Sequence, residues 1–501
     1  MRCWFFVLLT QRIVTHVLLA ALLLAAHVGV GASSREAPRT LTPTAARAYA
    51  ELLKLRPATA RVLLRNESAT AAGTLLVQDC IDFAELLVSQ DAGRYAATVA
   101  AQDQRLALLE KQAGALPDYA RAEIRLHQAA AQVTFGHEIR GAWSLRQAYQ
   151  QMQAVAQRYP AYLPARKTLG MLQFFIGSLP ENYRWFLKLL GLPGSVETGL
   201  RNLTAAARSS HDFQFESRLI LALLRETYLK DGEATAQQFE QLAAQQPDNL
   251  LLSYLTISQR KKLHHTAAAL VAYRSRPTGA AYLPLPYLHH MAADLLLYQG
   301  QYAASETENQ QFLREYRGQH YRKDAYFKLY LAAWLGGNQT AATQYRRQID
   351  AQGRDVLEED HYAQRFYDDA LPLHRILTRA RLQTDGGYYP EALATLRTFV
   401  LTPTTPLRDR LEWPYRQARA WHLHGQPDSA RRYYARTITL AGTAPYYFAP
   451  QSALQLGYLY QTDGKEDTAR SYFQKALSYP KHEYKNSTDT KAKVALAALA
   501  Q

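Results

Sequence analysis

A short pattern recurs through the second half of the chain: glycine, a spacer that often holds an aromatic or a proline, then alanine five residues after the glycine. It reads Gly387-Tyr388-Tyr389-Pro390-Glu391-Ala392, then Gly425-Gln426-Pro427-Asp428-Ser429-Ala430, then Gly464-Lys465-Glu466-Asp467-Thr468-Ala469. Weaker copies occur at Gly337 with Ala342, and at Gly300 with Tyr302 and Ser305. Glycine lets the backbone turn at the end of one helix without a Cβ clash, and the small residue lets an antiparallel second helix come close. The pattern predicts an all-α fold, a TPR-like solenoid of helical hairpins, in which a binding surface is favoured over a catalytic pocket.

Set against a helical repeat of about 34 residues, the last copy fits best. Leu456, Gly457 and Tyr460 fall on its first helix, Gly464 at the turn, and Ala469, Phe473 and Ala476 on its second. From Gly300 the marking glycines are spaced by 37, 50, 38 and 39 residues, so the units are longer than the standard one. The segment Asp355 to Leu373 reads as an acidic and aromatic interruption of the array. Prolines and glycines clustered at Pro277 to Pro286 break the helical pattern, which suggests two lobes. The expected organisation is a signal peptide at 1–32, a leader at 33–42, an N-terminal helical lobe at 43–276 with an apolar insert at 170–203, and the repeat array at 287–501.

Apolar residues make up 48% of the 501 and charged residues 20%, which excludes wholesale disorder. Tyrosine is abundant, with 33 residues against 16 phenylalanines, and suits seams whose outer end is wet. The formal charge of +15 is spread along helix faces, as at Arg346-Arg347 and Arg431-Arg432, so it reads as a solvated basic surface and not as a nucleic-acid site. At the N-terminus, Arg2 and Arg12 precede the apolar run Val17 to Ala26 and the small-residue exit Val30-Gly31-Ala32, the pattern of a cleaved secretory signal. An uncleaved anchor starting near Trp4 is the alternative. Cys3 would leave with the signal, and Cys80, among Val77, Ile81 and Phe83, reads as a structural thiol.

One segment does not fit the repeat grid. Between Gly170 and Leu203, Phe174, Phe175, Ser178, Leu179 and Pro180 precede the dense run Trp185-Phe186-Leu187-Lys188-Leu189-Leu190-Gly191, followed by Gly194 and Gly199-Leu200. Such a stretch is either buried nearly all round or faces something apolar. In its order of a phenylalanine-bearing helix, Ser-Leu-Pro, Leu-Lys-Leu-Leu-Gly and a Gly-Leu pair, it resembles the tetratricopeptide-repeat 39 and inclusion-body-clearance family and its exported bacterial counterparts. Pro445-Tyr446-Tyr447-Phe448-Ala449 with Leu456-Gly457 is similar to that family's last repeats. The likeness runs from Leu75 to the end, with the 30-residue block its specific part. It implies scaffold or adaptor work and brings no catalytic residues.

Motifs for chemistry are sparse. His264-His265 and His289-His290 are adjacent pairs, which point about 100° apart on a helix; His290 and Asp294 share a face, but two ligands are too few for a metal. The sequence holds no H-E-x-x-H, C-x-x-C, G-x-S-x-G or phosphate-loop spacing. Carboxylates at Glu358-Glu359-Asp360 and Asp368-Asp369 read as solvated faces or helix N-terminal charge. No catalytic, cofactor-binding or metal-ligating residue, and no cofactor, is assigned. The expected function is that of an exported, periplasmic or envelope-associated scaffold. It would bind a protein or peptide through a concave groove lined by tyrosine, with arginine at the rim. Two alternatives stand beside it: an assembly factor that docks to a membrane or partner through residues 174–192, and a hydrolase with an unrecognised site.

Overall fold

The computed structural model describes residues 40–179, 187, 190–229 and 231–499. The expected signal peptide and most of the leader lie outside the described residues, as do Pro180, Trp185 and Phe186 of the apolar block. Among the described residues the chain is helical throughout, with no strand. The first twelve helices are α1 (Pro43–Leu53), α2 (Pro57–Leu64), α3 (Ala72–Ser89), α4 (Ala92–Leu109), α5 (Ala115–Thr134), α6 (Glu138–Arg158), α7 (Pro164–Gly177), α8 (Val196–Arg208), α9 (Gln214–Leu229), α10 (Gly232–Gln245), α11 (Leu250–Lys262) and α12 (Thr266–Ser275). The rest are α13 (Pro286–Tyr298), α14 (Tyr302–Glu315), α15 (Arg322–Gly336), α16 (Gln339–Ala351), α17 (Glu358–Asp368), α18 (Arg375–Asp385), α19 (Tyr389–Arg397), α20 (Leu407–Leu423), α21 (Pro427–Ala441), α22 (Phe448–Thr462), α23 (Glu466–Leu477) and α24 (Lys485–Ala498).

The recurring glycines sit where the turn chemistry requires them. Gly300, Gly337, Gly387, Gly425 and Gly464 all have φ between 71° and 91°, the left-handed region that other residues adopt at a cost. Each lies between the two helices of a hairpin, and the small residue five positions on, from Ser305 to Ala469, is fully buried at the crossing. In the last unit a Cβ on Gly457 would lie 2.4 Å from Cε1 of Phe473, so the ring occupies the space glycine leaves. Successive hairpins pack side by side, which makes the fold a helical-hairpin solenoid. The 50-residue interval has a structural cause: α17 is a single helix inserted after the α15–α16 hairpin. It brings α18 back against α13, and the carbonyl of His264 comes to within 2.0 Å of where a Cβ on Gly387 would stand.

The interior is organised differently along the chain. One contiguous apolar core runs from Leu41 to Leu296 and takes in residues from α1 through α13. Beyond it the array is held by smaller clusters between neighbouring helices, such as Phe327 with Phe366 and Leu382, or Tyr415 with Tyr434 and Phe448. The segment Pro277 to Pro286 interrupts the helices without interrupting the core: Leu283 and Leu285 are buried in it, and the Leu283 N–H donates to the Leu55 carbonyl at 2.7 Å.

Charged groups lie inside the N-terminal region too. Lys167 of α7 is buried between Glu216 of α9 (2.7 Å) and Glu123 of α5 (3.1 Å). Tyr49 of α1 donates to Glu216 at 2.9 Å, while Tyr119 and Thr168 donate to Glu123. Burial raises both carboxyls, but Lys167 and its neighbours bring Glu123 below the ordinary carboxylate range, whereas Glu216 stays above it with the Glu123 charge nearby. Four helices are thereby tied together by one satisfied polar network. Cys80 lies beside it, its thiol pushed well up by burial and by the Asp79 charge.

Candidate functional site

The glycines of the apolar block have a packing role. A Cβ on Gly199 would lie 2.5 Å from the Phe174 nitrogen, one on Gly170 2.8 Å from the Gly199 carbonyl, and one on Gly177 2.6 Å from the Val196 nitrogen. Helices α7 and α8 therefore cross backbone on backbone, which only glycine permits. Gly194 is also pinned, against Ile176 and Gly177. Phe174, Leu187, Leu190 and Leu192 are buried in the main core, and Phe175 and Leu179 pack partly against it; Ser178, Gly191 and Gly194 are exposed. A hollow of about 420 Å³ beside the block is lined by Arg166, Gln173, Arg201 and Asn202, with Asn202 donating to Gln173 at 2.8 Å.

The richer geometry lies elsewhere, in the helical array beyond the main core. Helices α13, α15, α17 and α18 surround a chamber of about 360 Å³. Its walls carry Asp294, Asp324, Lys328, Glu358, Glu359, Arg381 and Asp385 among Leu297, Tyr298, Phe327 and Tyr362. His290 and Asp294, four apart on α13, do converge here with partners from other helices. His290 stands 2.9 Å from Asn309 and 3.0 Å from Asp324. Lys328 reaches Asp294 and Asp324 at 2.6 Å each, and Lys261 reaches Asp294 at 2.6 Å. Burial would raise both aspartates, yet Lys328, with Lys261 at Asp294 and His290 at both, holds them below the ordinary carboxylate range. The same pair lifts Lys328 well above an ordinary lysine against its burial.

Asp360 serves the end of a helix. Its carboxyl accepts the Tyr321 N–H at 2.6 Å and the Asp324 N–H at 3.0 Å, capping the N-terminus of α15 from α17. Burial, with Asp324 and Glu359 nearby, pushes its pKa up to about 8 over the pull of those two donors. Of the acidic run in the sequence, Glu358 and Glu359 are exposed and Asp360 is buried.

Beside the chamber, on α17, α18, α20 and the start of α22, arginines meet tyrosines. Arg381 donates to the Tyr362 hydroxyl at 3.0 Å, Arg365 to Tyr484 at 2.6 Å, and Arg416 to Tyr447 at 3.1 Å. Arg416 also holds Glu412 at 2.7 Å. Arg365 and Arg381 make no ion pair among the described residues, and the Nε of each is buried without a hydrogen bond. Burial raises the Tyr447 hydroxyl far above an ordinary tyrosine, so it remains neutral. Arg381 lies over the Tyr362 ring and Arg416 over the Tyr415 ring, because a weakly hydrated guanidinium can lie on tyrosine.

The sequence pattern did not single out Lys261, Asp324, Lys328, Arg365 or Arg381. A signal existed for one pair: Asp324 and Lys328 share a face with Phe327 and Leu331, so two opposite charges four apart stand on the apolar side of α15. Among the described residues no cluster of three or more His, Cys, Asp or Glu could hold a metal, and no helix is long and apolar enough to cross a membrane. No protein-family model matches the chain, and no curated protein does. Among solved structures, the crystal structure of the P58(IPK) TPR domain aligns with 84% of this chain and 98% of that one, at 11% identity and a TM-score of 0.23. That likeness is too weak to carry an argument, and the solenoid is read from the chain's own hairpins.

Proposed function

We propose that the chain is a non-catalytic, exported scaffold or adaptor that holds a protein or peptide partner along its inner face, from the chamber between α13 and α18 to the arginines and tyrosines of α20 and α22. One observation carries the reading: Arg365 and Arg381 lie against tyrosines of a hollow surface, neither within ion-pair distance of a carboxylate of the described chain and each with an unpartnered Nε, while Glu483, Asp385 and Glu412 act on them only from a distance. A buried guanidinium nitrogen left without an acceptor is costly in a free-standing protein and useful where a partner brings acceptors. The family resemblance of the apolar block and the signal-like N-terminus favour an adaptor working in the cell envelope.

A hydrolytic role has less support. His290 and Asp294 do meet other ionisable groups, but Asp294 and Asp324 are held ionised by Lys328, and Asp360 has both oxygens turned to the α15 N-terminus. None of these three carboxyls is thus placed as a proton donor beside an ionised partner, as glycoside hydrolysis requires. Affinity capture from envelope extract tests the scaffold reading. A partner retained by wild type and by Arg201→Ala, but lost with Arg381→Ala, supports it; the same partner retained by all three overturns it.

A further inference from the structure

We propose that residues 479–484 are a built-in occupant of the inner groove, and that the partner replacing them presents an extended segment bearing an aromatic residue with a hydroxyl. The proposal rests on the inner face being a protein-binding groove. After α23 the chain crosses to α17 before it returns as α24, and Tyr484 on this excursion lines the chamber. Tyr484 forms part of the chamber wall, 119 residues along the chain from the arginine that holds it. The Arg365 guanidinium lies 4.6 Å from the Tyr484 ring centre while donating to its hydroxyl, and Tyr447 meets the same ring edge-on at 5.5 Å.

Glu483, the residue before, is half-buried in the field of Arg365 and Arg408, and burial holds its carboxyl above its ordinary pKa despite them. The Tyr484 contacts therefore show what the groove accepts: a ring held between Arg365 and Tyr447. Three features mark the segment as a replaceable occupant. Tyr484 adopts a left-handed φ of 61°, a strained conformation for a residue with a Cβ. Within the segment, the Tyr479 hydroxyl and His482 Nε2 are buried without hydrogen bonds, as are the facing Arg365 and Arg381 Nε groups. Its two ends are clasped by Lys485, which donates to the Tyr479 carbonyl at 2.9 Å, so it can lift as one loop. A partner segment whose carbonyls reach the orphaned arginine groups would bind better than the loop does, and the loop sets a threshold because it competes at high effective concentration.

The test uses the full chain and a fluorescent peptide with the sequence of residues 479–486, followed by anisotropy. Tyr484→Ala should bind the peptide at least about ten-fold more tightly than wild type, since the internal competitor is gone. Adding Arg365→Ala should remove that gain, and a peptide carrying Tyr484→Ala should bind neither protein. Tyr484→Phe, which keeps the ring and loses the acceptor, should show a smaller gain in the same direction and serves if the alanine variant does not fold. Equal binding by wild type and both variants, or binding by none, overturns the proposal. If Arg381-dependent capture persists in that case, the groove reading survives without the occupant; if capture is also independent of Arg381, both fall.

Discussion

Lys167 and Arg381 are both long cations drawn inside a helical framework, and their surroundings differ in kind. Lys167 sits between two carboxylates within a continuous core, with tyrosine and threonine hydroxyls completing the network. Arg381 leans on Tyr362 beside an open chamber, in a region held by small clusters between successive hairpins, and meets no carboxylate within ion-pair distance among the described residues. A compensated charge in a closed core fixes the relative placement of four helices. Arg381, whose neighbouring carboxylates act only from a distance, keeps an unpartnered Nε beside a hollow, where the proposed partner would bring its acceptors. On the proposed reading, the difference separates an N-terminal region that holds shape from an array that presents a surface.

The contrast can be broken at several points. Lys167→Met should have the largest effect, since it leaves Glu123 and Glu216 buried together without a cation. A loss of about 3–5 kcal/mol in urea unfolding is expected, and a loss below about 1 kcal/mol would show that the network is not a strut. Gly199→Ala comes next, because its Cβ would press on the Phe174 backbone 2.5 Å away. Overpacking of this sort costs about 1–3 kcal/mol, and an unchanged melting temperature would mean that α7 and α8 can separate freely.

Asp360 gives a smaller effect with a definite sign. Its pKa of about 8 in the folded chain exceeds the ordinary carboxylate value of about 3.9, so the folded state keeps a proton that the unfolded chain releases. The stability it contributes is complete below about pH 4 and is lost as pH rises toward 8. Asp360→Asn, which cannot ionise, should lose that part of the slope when unfolding is compared at pH 5 and pH 8; equal slopes in both proteins would refute the assignment.

Much of the array was legible in the sequence because its rule is local. A glycine that must take a positive φ and a small residue five positions later are set by one turn and one helix crossing. Even the insertion of α17 shows as the 50-residue interval between Gly337 and Gly387. The chamber was not legible, since it needs α13, α15, α17, α18 and Tyr484, far apart along the chain, to meet. Lys167, Glu123 and Glu216 were hidden for the same reason: along the sequence each looks like an ordinary charge on a solvated face. The apolar block was visible as unusual, and its glycines proved to serve a backbone-on-backbone helix crossing that no spacing rule specifies.

The comparison is tested most directly by measuring stability and partner capture on the same preparation of Arg381→Ala. The account predicts an unfolding free energy within about 1 kcal/mol of wild type together with loss of the captured partner. A destabilisation as large as that of Lys167→Met, with capture unchanged, would contradict it and make Arg381 one more strut.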